Sequence, residues 1–227
     1  MSLADYQTLV TAFVRDDNDK ITPTDRDNAI TRAVERYSKD KPRLKVEDIN
    51  GLGTQLLAVP AGWVDEFSAL SLLEYPIGSV PPSLIEQDDV SIYRSPSGPQ
   101  IQLRVSIPVG AANVRATYTI KHQLDGAADT IPADHREPVA CWAAASLCEQ
   151  LATLYAGQSD STIQADSVDY KSKSSTFASR AKALRARYTS ELGINDVSNV
   201  AAGVVVSLTD RDSRGQQRLT HPMNRLP

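Results

Sequence analysis

The sequence predicts an α+β protein: a mainly α-helical bundle of about four helices, two of them long, with an inserted small antiparallel β domain and an extended C-terminal arm. Three observations predict it. Apolar residues recur at helical spacing near both ends of the first 193 residues. Between residues 42 and 125 the pattern changes to strict alternation, punctuated by Gly and Pro. Beyond Gly193 the chain becomes β-prone, then polar and basic with few core residues. The expected boundaries are 1–41 for an N-terminal helix pair, 42–125 for an inserted sandwich- or barrel-like domain, 126–193 for a long helical hairpin completing the bundle, and 194–227 for the arm.

The first helix is expected from Ser2 to about Arg15, with Leu3, Tyr6, Leu9, Val10, Phe13 and Val14 at helical spacing. Ser2 and Asp5 resemble a capping box. A second helix is expected from Thr22-Pro23, where proline suits the first helical position, with a stripe of Ala29, Ile30, Ala33, Val34 and Tyr37. The acidic turn Asp16-Asp17-Asn18-Asp19 lacks the central glycine and terminal glutamate of a calcium loop, and reads as a solvated turn. In the β region Ile101, Leu103, Val105 and Ile107 alternate with polar residues, as do Val114, Ala116, Tyr118 and Ile120. That pattern marks half-buried strands.

The third helix is expected from about Thr130 or Ala133 to Gly157. Its core-facing stripe is Val139, Trp142, Ala143, Ser146, Leu147, Leu151, Leu154 and Tyr155, and Ala140, Cys141, Ala144, Ala145, Cys148 and Ala152 leave few polar positions elsewhere. A helix apolar on nearly every side is surrounded by protein. The fourth, from about Ser161 to Leu192, spaces Ile163, Tyr170, Phe177 and Leu184 by sevens, with Ser167, Ser174, Ala181 and Tyr188 between them. Its length would be about 45 Å. Residues 126–160 carry five acids against one base and residues 161–193 six bases against three acids, so the two arms of the hairpin differ in sign. The basic positions are Lys171, Lys173, Arg180, Lys182, Arg185 and Arg187. They read as solvated helix surface, or as a face for subunit contact or DNA phosphates.

Composition narrows the function. The 227-residue chain is 41% hydrophobic and 23% charged with a net charge of −4, which gives no overall footprint for nucleic acid. No apolar run approaches the ~18–20 residues that cross a bilayer, and Met1–Val14 lacks the apolar stretch of a signal peptide. Synthesis in the cytoplasm and no membrane partner are the expectations. Cys141 and Cys148 stand seven apart on one helix, about 10.5 Å of rise, too far for a disulfide, and read as buried thiols. His122, His135 and His221 flank no cysteine at metal spacing. There is no Gly-x-Ser-x-Gly elbow, phosphate loop, His-Glu-x-x-His or Cys-x-x-Cys pair. Neither Asp88-Asp89 nor His135, beside Asp134 and Glu137, forms a catalytic set. The expectation is no enzyme, no metal and no cofactor.

Three segments together resemble the head–tail connector, or adaptor, proteins of tailed bacteriophages: LADYQTLVTAFVRDD with ITPTDRDNAITRAVERYSKDKPR, then IPADHREPVACWAAASLCEQLATLYA, then Tyr170 to Gly193 ending in RARYTSELG. They cover about half of the chain. The resemblance implies a structural virion protein of the neck, made in the bacterial host cytoplasm. It would form a ring of copies under the portal, a dodecamer by family resemblance, extend the DNA channel and offer a platform to a tail or tail-terminator protein. It also implies a C-terminal arm that embeds in the portal, here Val204, Val205, Val206 and Leu208 with Arg211, Arg214 and Arg218. Read from its residues alone, the same run is either a free tail or an arm that pairs with a neighbour's sheet edge. The β insertion is larger than in the simplest adaptors. Two alternatives stand beside this reading: another neck or tail-completion protein, and a non-sequence-specific DNA-binding protein using residues 161–192.

Overall fold

A computed structural model describes residues 2–16, 18–126, 128–157, 170–194, 210–211 and 217–218, with backbone alone at 170–172 and in the last two segments. Among the described residues the fold is mixed α+β, with four α-helices and two small antiparallel three-stranded sheets. Residues 1–194 form one compact unit and residues 195–227 a second.

Helix α1 (Leu3–Val14) buries Tyr6, Val10 and Val14. The Asp5 carboxylate accepts the Ser2 backbone N–H at 2.7 Å, so Asp fills the role that Glu or Gln usually plays at this position. Helix α2 (Pro23–Asp40) starts on a complete capping box: the Asp25 N–H donates to the Thr22 hydroxyl, and the Thr22 N–H to the Asp25 carboxylate, each at 3.1 Å. Its expected stripe, Ala29, Ile30, Ala33, Val34 and Tyr37, is buried throughout. The acidic turn between the helices is structured from within. Asp16 accepts the N–H of Ile21 at 2.8 Å, and the Asn18 amide donates to the Tyr155 hydroxyl at 3.0 Å.

The first sheet orders β1 (Arg43–Gly51), β6 (Gly110–Ile120) and β3 (Leu70–Glu74); the second orders β2 (Leu56–Ala58), β5 (Gly98–Leu103) and β4 (Val90–Ser95). Alternation places Ile49, Val114, Ala116 and Leu73 of the first sheet and Leu57, Ile101 and Leu103 of the second in one apolar cluster. β5 stops at Leu103 rather than continuing through Val105: Val105 is 71% exposed, although Ile107 beyond it is buried. The far end of β1 bulges at Gly51, where a Cβ would collide with the Pro108 carbonyl. The Asn113 side chain ties this bend by accepting from Gly51 N–H at 2.7 Å and donating to Pro108 at 3.1 Å.

Two elements follow the sheets. A 3₁₀ turn at Ala133–His135 precedes α3 (Arg136–Ala156), which packs against each of α1, α2 and α4 (Tyr170–Glu191). Pro138, Val139, Ala140, Cys141, Ala143, Ala144, Ala145, Leu147, Cys148, Leu151 and Tyr155 are all buried. Leu154, expected in the core, is exposed instead, at the edge of the helix face that buries Leu151 and Tyr155. In α4, Ala181, Leu184 and Tyr188 are buried and Phe177 is partly so; Ile163 and Ser167 lie outside the described residues. Gly193 adopts φ +61° and ends α4, with its N–H bonded to the Ser190 carbonyl at 3.2 Å. Hydrogen bonds between residues distant in sequence lock the helices together. Tyr188 donates to Asp40 at 2.7 Å, Ser174 to the Ala152 carbonyl at 2.8 Å, and Arg180 to the Val14 carbonyl at 2.7 Å.

This packing predicts an asymmetry. Ala144→Leu inserts volume where α3 has none to spare and should destabilise the protein by about 1–3 kcal/mol. Leu154→Ala, on the exposed side, should stay within about 0.5 kcal/mol of the parent. Urea unfolding followed by circular dichroism measures both.

Candidate interaction surfaces

The basic residues of α4 do not stand as a free row. The Arg185 guanidinium binds the Glu149 carboxylate through two bonds of 2.7 and 2.6 Å and lies 4.3 Å from the Trp142 ring centroid. Arg36 approaches the same indole at 5.3 Å, so α2, α3 and α4 meet around one tryptophan held by cation–π contact. Arg187 bonds to Glu191 and Glu137, each at 2.6 Å. Arg180 reaches α1, and Lys173 lies 5.7 Å from the Tyr155 ring. The acidic third helix and basic fourth helix thus meet their complements within one copy. Lys182 is exposed, and the Lys171 side chain lies outside the described set. Such surface pairs orient helices more than they stabilise them.

In the arm, Arg211 lies in β7 (Asp210–Arg211) and Arg218 in β8 (Gln217–Arg218), a two-residue antiparallel pair. Val204, Val205, Val206, Leu208 and Arg214 lie outside the described residues.

Exposed apolar side chains cluster where sequence reasoning did not look. Apart from Leu154, every large hydrophobic residue found exposed among those described lies between Leu44 and Val109. Leu44, Val46 and Leu72 occupy the outer face of the first sheet; Leu52, Val105 and Val109 lie near the β1 bend; Ile92 and Tyr93 are on β4. The signal that could have found them is a mismatch in the alternation: LKVEDI places Leu44 and Val46 on the face opposite Ile49. A groove of about 510 Å³ runs between β3 and β4, lined by Leu70, Leu72, Ile85, Val90 and Ile92 with Asp88 at one end. A second cavity of about 450 Å³, lined by Val10, Val14, Ile21, Arg26 and Leu147, lies at the α1–α2 turn.

Two histidines, His122 and His135, serve the joint between helices and sheets. His122 and His135 flank the Tyr37 ring, at centroid distances of 4.8 and 5.6 Å, and the Tyr37 hydroxyl is 2.6 Å from His135 Nδ1. The backbone N–H of His122 donates to buried Ser38, and its ring nitrogens lie 3.0 Å from the carbonyls of Lys41 and Thr130. Among the described residues no group of three or more His, Cys, Asp and Glu is arranged to hold a metal, and no helix is long and apolar enough to cross a membrane. Asp88 and Asp89 sit in a 3₁₀ turn before β4, with Asp89 3.4 Å from Arg104.

Two solution properties follow. Burial holds the His122 imidazole below its ordinary 6.5, although its carbonyl partners pull the other way. The folded chain then binds fewer protons than the unfolded chain below pH 6.5, so this contribution is complete above that pH and is lost on acidification. Thermal midpoints should fall from pH 7 to pH 5, and His122→Gln should flatten the fall. Burial also pushes the Cys141 and Cys148 thiols up to about 11. Neither should react with Ellman's reagent at about pH 8 until the protein is unfolded.

No family model matches the chain, and no curated protein does. Among solved structures the chain is similar to one described as "Neck of native GTA particle computed with C12 symmetry". That similarity has 12% identity, covers 78% of this chain and 92% of the other, and has a TM-score of 0.26. A TM-score this low fixes neither fold nor role.

Proposed function

We propose that this chain is a non-enzymatic structural protein of a tailed-phage neck, a head–tail connector that sits as a ring under the portal and extends the DNA channel towards the tail. One observation carries the reading. Of the three segments that resemble adaptor proteins, the first is separated from the other two by most of the β region, yet α1, α2, α3 and α4 bury their apolar faces in one shared cluster. The likeness therefore follows a physical unit rather than scattered strings. The helical unit is the ring-forming body, and the β region, with its exposed apolar side chains, meets other neck or tail components.

A ring requires heterologous contacts that close by rotation. Because α3 and α4 satisfy most of their charges internally, lateral contacts between copies fall to exposed positions of the helical unit such as Lys182. The C-terminal residues act as the portal-docking arm, with Val204, Val205, Val206 and Leu208 as its apolar part and Arg211, Arg214 and Arg218 as its basic part. The protein alone is a monomer or weak oligomer, and the portal templates the ring.

Imaging of the purified protein mixed with the portal from the same genome should reveal a new ring of density on one end of the portal. Deleting residues 200–227 should abolish that density while leaving the circular dichroism spectrum of the helical unit intact. A protein that stays free of the portal, and instead binds duplex DNA with steep salt dependence, would replace the connector by the DNA-binding reading.

A further inference from the structure

The four sheet edges are not protected equally. The outer edge of β3 is covered by residues 83–85: Tyr75 N–H bonds to the Ser83 carbonyl at 2.9 Å, Ile85 N–H to the Leu73 carbonyl at 2.8 Å, and the Gln87 amide reaches the Ser71 carbonyl. β2 is three residues long. β1 carries Arg43, Lys45, Glu47 and Asp48, charges of the kind that discourage edge pairing. Among the described residues β4 has none of these devices. It is six residues long, reads VSIYRS, and its only charge is Arg94.

The register shows which groups of β4 face outward. Arg104 N–H bonds to the Asp89 carbonyl at 3.1 Å, and Val90 pairs with Leu103. Hydrogen-bonded pairs alternate along antiparallel strands, so Ser91 and Tyr93 bond to β5, while Ile92 and Arg94 turn N–H and C=O to the open side. Pro99, which has no N–H, lies opposite Arg94, as a pair without ladder bonds allows. The Val90 N–H is taken by the Gln87 carbonyl. Beside this edge lies the groove lined by Leu70, Leu72, Ile85 and Ile92. Asp88 stands exposed at the N-terminal end of β4 and lines both the groove and an adjoining cleft.

We infer that β4 is a docking edge for an extended strand of another protein, apolar at alternate residues and basic at its C-terminal flank. The backbone of the incoming strand would pair with Ile92 and Arg94, every second side chain would enter the groove, and the basic flank would meet Asp88. Charge sets the direction: the basic C-terminal end lies against the start of β4, so the added strand runs antiparallel. Main-chain bonds supply affinity and the groove supplies selectivity, the division of labour typical of strand addition. The inference does not depend on the neck reading.

The test uses the full-length protein and three synthetic peptides: SVTVTVRR, its acidic counterpart SVTVTVEE, and SVTPTVRR, whose proline removes a backbone donor. Amide NMR should show SVTVTVRR shifting Ile92 and Arg94 and leaving α3 unmoved. It should bind about tenfold more tightly than SVTVTVEE, with SVTPTVRR failing to bind. Ile92→Lys should abolish binding and Asp88→Lys should erase the preference for the basic flank. Undisturbed α3 signals verify that both variants are folded, and Asp88→Lys, at an exposed turn, keeps the test intact if Ile92→Lys unfolds. Absence of β4 shifts, equal affinity for the basic and acidic peptides, or binding of SVTPTVRR would overturn the inference. Concentration-dependent shifts of the same amides without peptide would also overturn it, by assigning the edge to a second copy.

Discussion

Burial of α3 on every side from Pro138 to Cys148 is the constraint on which the rest of the structure depends. Each of the other three helices finds its apolar face by packing against it. The helix achieves this with small residues, because Ala140, Cys141, Ala143, Ala144, Ala145 and Cys148 let neighbouring backbones approach closely without leaving voids. Its consequence reaches the charges. With no polar face of its own, α3 carries acids only at positions where arginines of α4 arrive, at Glu137 and Glu149. The sign difference within the hairpin is in large part an internal fit.

The molecule thus divides its work by element type. The helices form a closed cluster whose surface cations lean on aromatic rings and carboxylates of the same copy. The sheets keep a second, smaller cluster and expose apolar side chains on an outer face, at a bend and along an edge strand. His122, Ser38 and Tyr37 join the two. For the neck component proposed above, a stable helical body beside a more available β surface is a sensible arrangement, since strand edges bind without rebuilding a core.

Much of this was legible in the sequence, for reasons that can be traced. The stripe on α2 and the apolar circumference of α3 identify helices because each repeats over enough turns to outweigh local propensity. Thr22-Pro23 marks the start of α2 through its capping side chain and fixed φ, and Gly193 the end of α4 through its left-handed backbone. The strands are legible from alternation, but alternation does not show where a strand ends: Val105 continues the pattern after the ladder has stopped. Leu154 continues the helical stripe in the same way, yet it is exposed. The surfaces were the least legible. Basic residues at 180, 185 and 187 look like a free face until α1 and α3 are packed beside them. The open edge of β4 depends on hydrogen-bond parity and on the cover over β3, which involve residues distant in sequence.

Native-state hydrogen exchange measures this account most directly. If α3 is the element around which the rest is built, its amides from Val139 to Leu151 exchange last, at the rate of global unfolding. In β4, Ser91 and Tyr93 should be protected while Ile92 and Arg94 exchange rapidly. Early exchange of α3, or uniform protection along β4, would contradict the account.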